Sequence, residues 1–337
     1  MPPVIEEAVR IGKVAAVDAK AVRIGVALGG GSARGYAHIG ALASLERHGY
    51  APDVLVGTSF GAVVGALYAT GRGIDELCEQ ARQMRRRDVF PHVADFGLHR
   101  AALFRGHKLQ EYFARLLEGR HFEDLERELV VVTTDIDSGE RVLLTSGPLD
   151  LALRASASLP GIFAPAEVEG RRLIDGGIGS PVPLDTLLGM DVDVAIGIGA
   201  GMQARDSRSI RAARRLVATP QLRRAHSKAL STAPRHAFGR LGRAIAIAAQ
   251  NWVDDDSIEV AVAAELARQV SAERNCGSLE VNTRPPIHWL NFHRAGEAID
   301  AGDAALSALM PRVRGTIAGV LAARATVVPA ALANPGD

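Results

Sequence analysis

Twice in close succession the chain passes from a short apolar run through a tight, glycine-bearing turn into a segment with helical spacing. RIGVAL (23–28) runs into GGGSARG (29–35), and the stretch 35–48 carries Ile39, Leu42 and Leu45 on one stripe before Gly49. DVLVG (53–57) then leads through Thr58 and Ser59 into FGAVVGALYATG, a helix of small and apolar residues. Two parallel strands need a crossover between them, and a strand–turn–helix repeat supplies one. This grammar restricts the fold to an α/β architecture built on a parallel sheet.

The rest of the chain extends the same pattern. Helices are expected at 73–87 and 106–118, and ELVVVTTDID and ERVLLTS read as strands joined through Asp137, Ser138 and Gly139. LIDGG closes a further strand, and VDVAIGIG (192–199) is a buried, β-branched one. From about 202 to 275 the pattern is mainly helical; a short strand near 279–281 and two alanine-rich helices follow. Residues 1–21 lack an apolar period and read as an N-terminal leader. The division is then an α/β core over 22–200, a basic, mainly helical insertion or extension over 201–275, and a C-terminal part of the same domain over 276–330. No repeat or linker divides it further.

Composition narrows the class. Hydrophobic residues make up 47% and charged residues 23%, the balance of a globular chain. No apolar run approaches the roughly 20 residues of a membrane-spanning helix, and the N-terminus has early acids and no apolar core of a secretory signal. A cytoplasmic location is the expectation. Cys78 and Cys276 provide no disulfide framework and no metal-ligand spacing. A formal net charge of +1 excludes a globally basic nucleic-acid binder.

The first glycine turn fails as a dinucleotide fingerprint, because Arg34 or Ser32 falls where a glycine is required and no acid follows the second strand. No Gly-Lys-Ser/Thr makes it a phosphate loop. Two readings remain: a tight turn that needs glycine for its backbone angles, or unobstructed N–H groups at a helix start aimed at a developing negative charge. The second turn, GTSFG (57–61), is a G-x-S-x-G pattern centred on Ser59 between an apolar strand and a helix. That is the context of a nucleophile elbow, although Ser59 also suits a helix N-cap.

A serine nucleophile needs a base. His226 and His236 lie in an arginine-rich stretch, His288 follows no convincing core strand, and His293 opens the helical segment HRAGEAIDAG, so a histidine triad is disfavoured. Asp175 in LIDGG stands immediately after an apolar strand with Gly176 and Gly177 behind it. An exposed aspartate titrates near 3.9 and is a poor base, but removal from water raises that value. An ordinary Asp-Gly turn is the alternative reading.

Taken together, GGGSARGYAHIGAL, VGTSFGA, RASASLPGIFAPAEVEG (154–170) and IDGG resemble, in this order, the patatin-like phospholipase family, in particular the bacterial branch similar to neuropathy target esterase. TTDIDSGERVLL is similar to the family's core hairpin. The resemblance covers about 23–200 and returns at 288–310. It implies a three-layer α/β/α sandwich with a mainly parallel central sheet, and makes 22–200 a patatin-like catalytic core. By position it implies Ser59 as nucleophile, Asp175 as its proton acceptor, Gly30 and Gly31 with the N–H of Ser32 as oxyanion hole, and Arg34 as the motif's basic residue. Ser32 departs from the commoner third glycine. Ester hydrolysis through an acyl-enzyme follows, with no cofactor and no metal.

Between Arg205 and Arg243 eleven basic residues face one acid, Asp206; that stretch carries +10 and leaves −9 on the remainder. Ile210, Ala213 and Val217 share a helical stripe there. The segment reads either as a peripheral contact with anionic membrane or as a solvated insertion. Near-absence of interleaved aromatics argues against nucleic acid. The expected function is a serine lipid acyl hydrolase acting on (lyso)phospholipids. An esterase or transacylase using small acyl donors and a non-catalytic lipid-binding protein are the alternatives.

Overall fold

The computed structural model describes residues 22–85, 95–99, 102–201, 276–288 and 290–327. Residues 1–21, expected as a leader, and the basic stretch 205–243 lie outside the described residues, as do His226, His236 and the helical pattern expected for 202–275.

In chain order the core runs β1 (Ile24–Leu28), α1 (Ala37–Arg47), β2 (Val54–Thr58), α2 (Phe60–Ala69) and α3 (Ile74–Gln83). A small hairpin, β3 (Phe96–His99) and β4 (Ala102–Phe104), precedes α4 (His107–Leu116). The strands β5 (Glu128–Asp135) and β6 (Arg141–Leu144) then lead to α5 (Leu149–Ser156). Three strands follow, β7 (Gly161–Phe163), β8 (Ala166–Val168) and β9 (Arg171–Asp175), and then α6 (Leu184–Leu188) and β10 (Val194–Gly199). β11 (Gly277–Asn282) and α7 (Ala295–Val327) complete the described part.

Among the described residues the main sheet has eight strands in the order β11-β10-β1-β2-β5-β9-β8, with β6 also on β5. The five strands from β11 to β5 are parallel; β6, β8 and β9 join antiparallel. The fold is therefore a three-layer α/β/α sandwich on a mainly parallel sheet, as expected. Alternation sorts the strand side chains between layers. Ile24, Val26, Leu28, Leu55, Leu129 and Val131 pack under α1, α2 and α7, while Ala27, Val54, Val56, Val130 and Val132 face Leu184, Leu187 and Leu188 of α6. From β1 the chain moves one way to β2 and β5 and later the other way to β10 and β11. The carboxyl end of β1 is thus a topological switch point, where open α/β sheets leave a crevice.

The two alanine-rich helices expected at the C-terminus are one helix. α7 continues through Pro311. Proline removes one helical hydrogen bond, but Leu306, Leu309, Met310, Val313 and Ile317 form a single buried stripe across it, and burial of that stripe holds both halves to the same surface. Gly40 of α1 and Gly302 of α7 let the two backbones touch. A Cβ on Gly40 would fall 1.9 Å from the Ile299 carbonyl, and one on Gly302 would fall 1.9 Å from that of Ala37.

Candidate active site

Ser59 sits between β2 and α2 with φ +54°, a left-handed value that a side chain adopts only at a cost of about 1–2 kcal/mol. The turn is tight enough to explain both glycines around it. A Cβ on Gly57 would lie 2.4 Å from the Ala62 Cα, and one on Gly61 would lie 2.3 Å from the Leu28 carbonyl oxygen. The elbow therefore packs backbone against backbone and pushes Ser59 out at the strand end.

Sheet register brings Asp175 to it. Thr58 pairs with Val132 and Asp175 with Thr133, so the ends of β2 and β9 meet across successive residues of β5. Ser59 Oγ donates to Asp175 Oδ2 at 2.6 Å, and Asp175 Oδ1 accepts the Gly177 N–H at 2.7 Å. The Asp175 side chain is 6% exposed. Burial raises its pKa from 3.8 to about 6, although the hydrogen bonds from Ser59 and Gly177 pull the other way. A carboxylate titrating there is a usable base near neutral pH.

The glycine turn lies beside the serine: a Cβ on Gly30 would fall 3.5 Å from Ser59 Cβ. Of the residues expected there, Gly30 has its N–H engaged: it donates to the Pro181 carbonyl at 2.9 Å. Gly31 and Ser32 open the 3-10 turn Ser32–Tyr36, where helical geometry supplies their N–H groups with no acceptor. Ser32 holds φ +49°, the left-handed region for which glycine is the easier residue. Arg34 points elsewhere. It is buried, donates to the carbonyls of Ile287 and Gly201 at 2.9 and 2.8 Å, and braces the turn from behind.

Three supporting groups escaped the sequence reading. His38, 0% exposed, contacts the Gly29 carbonyl through Nε2 at 2.7 Å; a carbonyl only accepts, so Nε2 carries the proton. Burial lowers its pKa to about 4, which keeps the ring neutral as a brace for the glycine turn. Ser156 Oγ accepts the Ser59 N–H at 2.8 Å and donates to the Val132 carbonyl at 2.7 Å. Arg154 is buried, with its guanidinium donating to the carbonyls of Arg105, Gly106 and Ala164 and to Ser158 Oγ. All three fall inside blocks already quoted, but only burial and hydrogen bonding distinguish them from their neighbours. His288 and His293 make no hydrogen bond to Ser59 or Asp175.

Ser32, Ser59 and Asp175 line one cavity of about 540 Å³ whose other walls are mostly apolar, with Tyr36, Phe60 and Phe292 stacked edge-on and tilted at one side. Leu290, 54% exposed, also borders it. Among the described residues no group of three or more His, Cys, Asp or Glu is placed to hold a metal ion, and no helix is long and apolar enough to cross a membrane.

Residues 26–188 match the family model for patatin-like phospholipases. An uncharacterized NTE family protein of Mycobacterium tuberculosis is 38% identical over 176 residues, 52% of this chain and 48% of that protein. Patatin-like phospholipase domain-containing protein 6 of Homo sapiens is 34% identical over 184 residues, 53% of this chain and 13% of that protein. Lysophospholipase NTE1 of Coccidioides immitis is 33% identical over 181 residues, 52% of this chain and 12% of that protein. The chain thus spans about half the length of the mycobacterial relative it matches and a smaller share of the other two. The glycine turn, the Ser59 elbow and Asp175 all fall within the span, residues 26–188, that matches the patatin-like phospholipase family.

Proposed function

We propose that the protein is a serine lipid acyl hydrolase that cleaves fatty-acyl esters of (lyso)phospholipids through a Ser59–Asp175 dyad. The observation that carries this reading is the 2.6 Å hydrogen bond from Ser59 Oγ to a buried carboxylate at the wall of an apolar cavity. A water-excluded carboxylate with a raised pKa accepts the hydroxyl proton as Oγ attacks the ester carbonyl. The N–H groups of Gly31 and Ser32 stabilise the tetrahedral oxyanion, a task for fixed dipoles that need not reorganise. Collapse expels the alcohol portion, which takes the proton from Asp175. Water, deprotonated by the same carboxylate, then releases the fatty acid from Ser59.

Two features support lipid over a polar substrate: the predominantly apolar cavity, and the relatives whose names include phospholipase and lysophospholipase. The proposal is tested by incubating the protein with a panel of phospholipids and lysophospholipids and following fatty-acid release. Release by wild type and its loss in a folded Ser59→Ala variant is the expected result. Equal release by both would remove Ser59 from the chemistry, and release by neither would leave a lipid-binding protein.

A further inference from the structure

The cavity is walled by three helices that each contribute one repeating stripe. α2 lines it from Phe60 to Leu67, α3 with the residue after it from Leu77 to Met84, and α4 from Leu109 to Leu116, in every case at i, i+3, i+4 and i+7. That spacing is a single helix face two turns long. Seven residues at a rise of 1.5 Å make each stripe about 11 Å long. Only α2 begins at Ser59, so depth along it is measured from the nucleophile itself. Val63 stands four residues, about 6 Å, beyond Ser59, and Leu67 eight residues, about 12 Å.

The α4 wall is anchored at its start. Asp95 accepts the N–H groups of Gly106, His107 and Lys108 at the start of α4, and Arg154 donates to the carbonyls of Arg105 and Gly106 in the same turn. Donors and acceptors of that turn are thus gripped from two sides.

We propose that the α2 stripe is a length gauge for a single acyl chain, with Val63 and Leu67 touching it at successive depths. The inference rests on the acyl-hydrolase reading for its occupant: the chain whose carbonyl sits at Ser59 has the apolar strip as its continuation. With carbon–carbon bonds near 1.5 Å, an extended chain advances roughly 1.3 Å per carbon. Val63 then meets about the fifth carbon and Leu67 about the ninth.

The experiment measures kcat/KM on p-nitrophenyl esters from butyryl to palmitoyl, each variant normalised to its own butyryl value. Val63→Trp should lose at least tenfold from octanoyl upward. Leu67→Trp should keep the octanoyl ratio and lose at least tenfold from dodecanoyl upward. Val63 is buried, so Val63→Phe replaces the tryptophan variant if the latter melts early. Breaks at the same length for both positions, in reversed order, or nowhere would overturn the gauge. If wild type turns over no ester, the hydrolase reading fails separately. The same variants are then scored by displacement of a fluorescent fatty acid with fatty acids of the same lengths, where an ordered shift upholds the gauge and its absence overturns it.

Discussion

The backbone N–H of Ser59 donates to Ser156 Oγ at 2.8 Å, and the same hydroxyl donates to the Val132 carbonyl at 2.7 Å. Ser156 is fully buried, so one side chain ties the elbow, the strand β5 and the helix α5 together. The Ser59 N–H is thereby engaged, so under the proposed mechanism an oxyanion is left to the glycine turn. The positive φ of Ser59 is a costly backbone conformation, and such a tie holds it in place.

Ser156→Ala should therefore lower kcat on a short ester roughly tenfold with little change in KM, as a buried N–H left unpaired costs about 1–3 kcal/mol. Steady-state kinetics together with a thermal melt check it, and Ser156→Thr, which keeps the hydroxyl, should recover most of the loss. A change confined to KM would mean that Ser156 shapes the pocket and leaves the nucleophile alone.

The pH dependence follows from Asp175. Its carboxyl is held up at about 6 by burial, and only the ionised form accepts the Ser59 proton. The kcat/KM profile on a neutral ester should fall on the acid side with a midpoint near 6. A midpoint near 4, the value of an exposed aspartate, would show that the carboxylate is solvated when it works.

The same shift has a stability consequence of definite sign. Asp175 titrates higher in the folded protein than the ordinary 3.8, so its contribution favours folding at low pH and is lost as pH rises through about 6. His38 acts oppositely: its folded value of about 4 lies below the ordinary 6.5, and its contribution is present above 6.5 and lost as pH falls towards 4. Asp175→Asn removes the first effect alone. The Tm difference between variant and wild type should be positive at pH 8 and shrink towards pH 4, read from melts across that range. A difference independent of pH would separate the raised pKa from stability.

Much of this site was legible in the chain. G-x-S-x-G and the DG after LI are local features, set by the steric needs of a strand end, and they led directly to Ser59 and Asp175. What one strand end does to another was not legible. The Gly30 N–H is spent on Pro181, about 150 residues away in sequence, and Arg34 bonds to Gly201 and Ile287. The strands β3, β4, β7 and β8 are only three or four residues long, too short to show an alternation. The C-terminal segment read as two helices, and the single α7 continues through Pro311 because a buried stripe packs both halves against distant elements.

The basic stretch supplies a prediction from sequence alone. Arg208, Arg211, Arg214 and Arg215 share a segment with the apolar stripe of Ile210, Ala213 and Val217. Neutralising these four arginines should weaken binding to vesicles containing anionic lipid, by up to about 1 kcal/mol per charge, while hydrolysis of a water-soluble ester scarcely changes. Sedimentation with vesicles at two salt concentrations checks it. Unchanged affinity would make the stretch a solvated insertion, and loss of soluble-ester activity would place it over the active site.

The central claim is that Ser59 is a nucleophile activated by Asp175, and covalent labelling tests it most directly. A fluorophosphonate ester should modify the folded wild type once, with tandem mass spectrometry placing the adduct on Ser59. Ser59→Ala should not label, and Asp175→Asn should label at least ~10²-fold more slowly, the low end of what a general base supplies. An adduct on another serine, or an Asp175→Asn variant that labels as fast as wild type, would contradict the account.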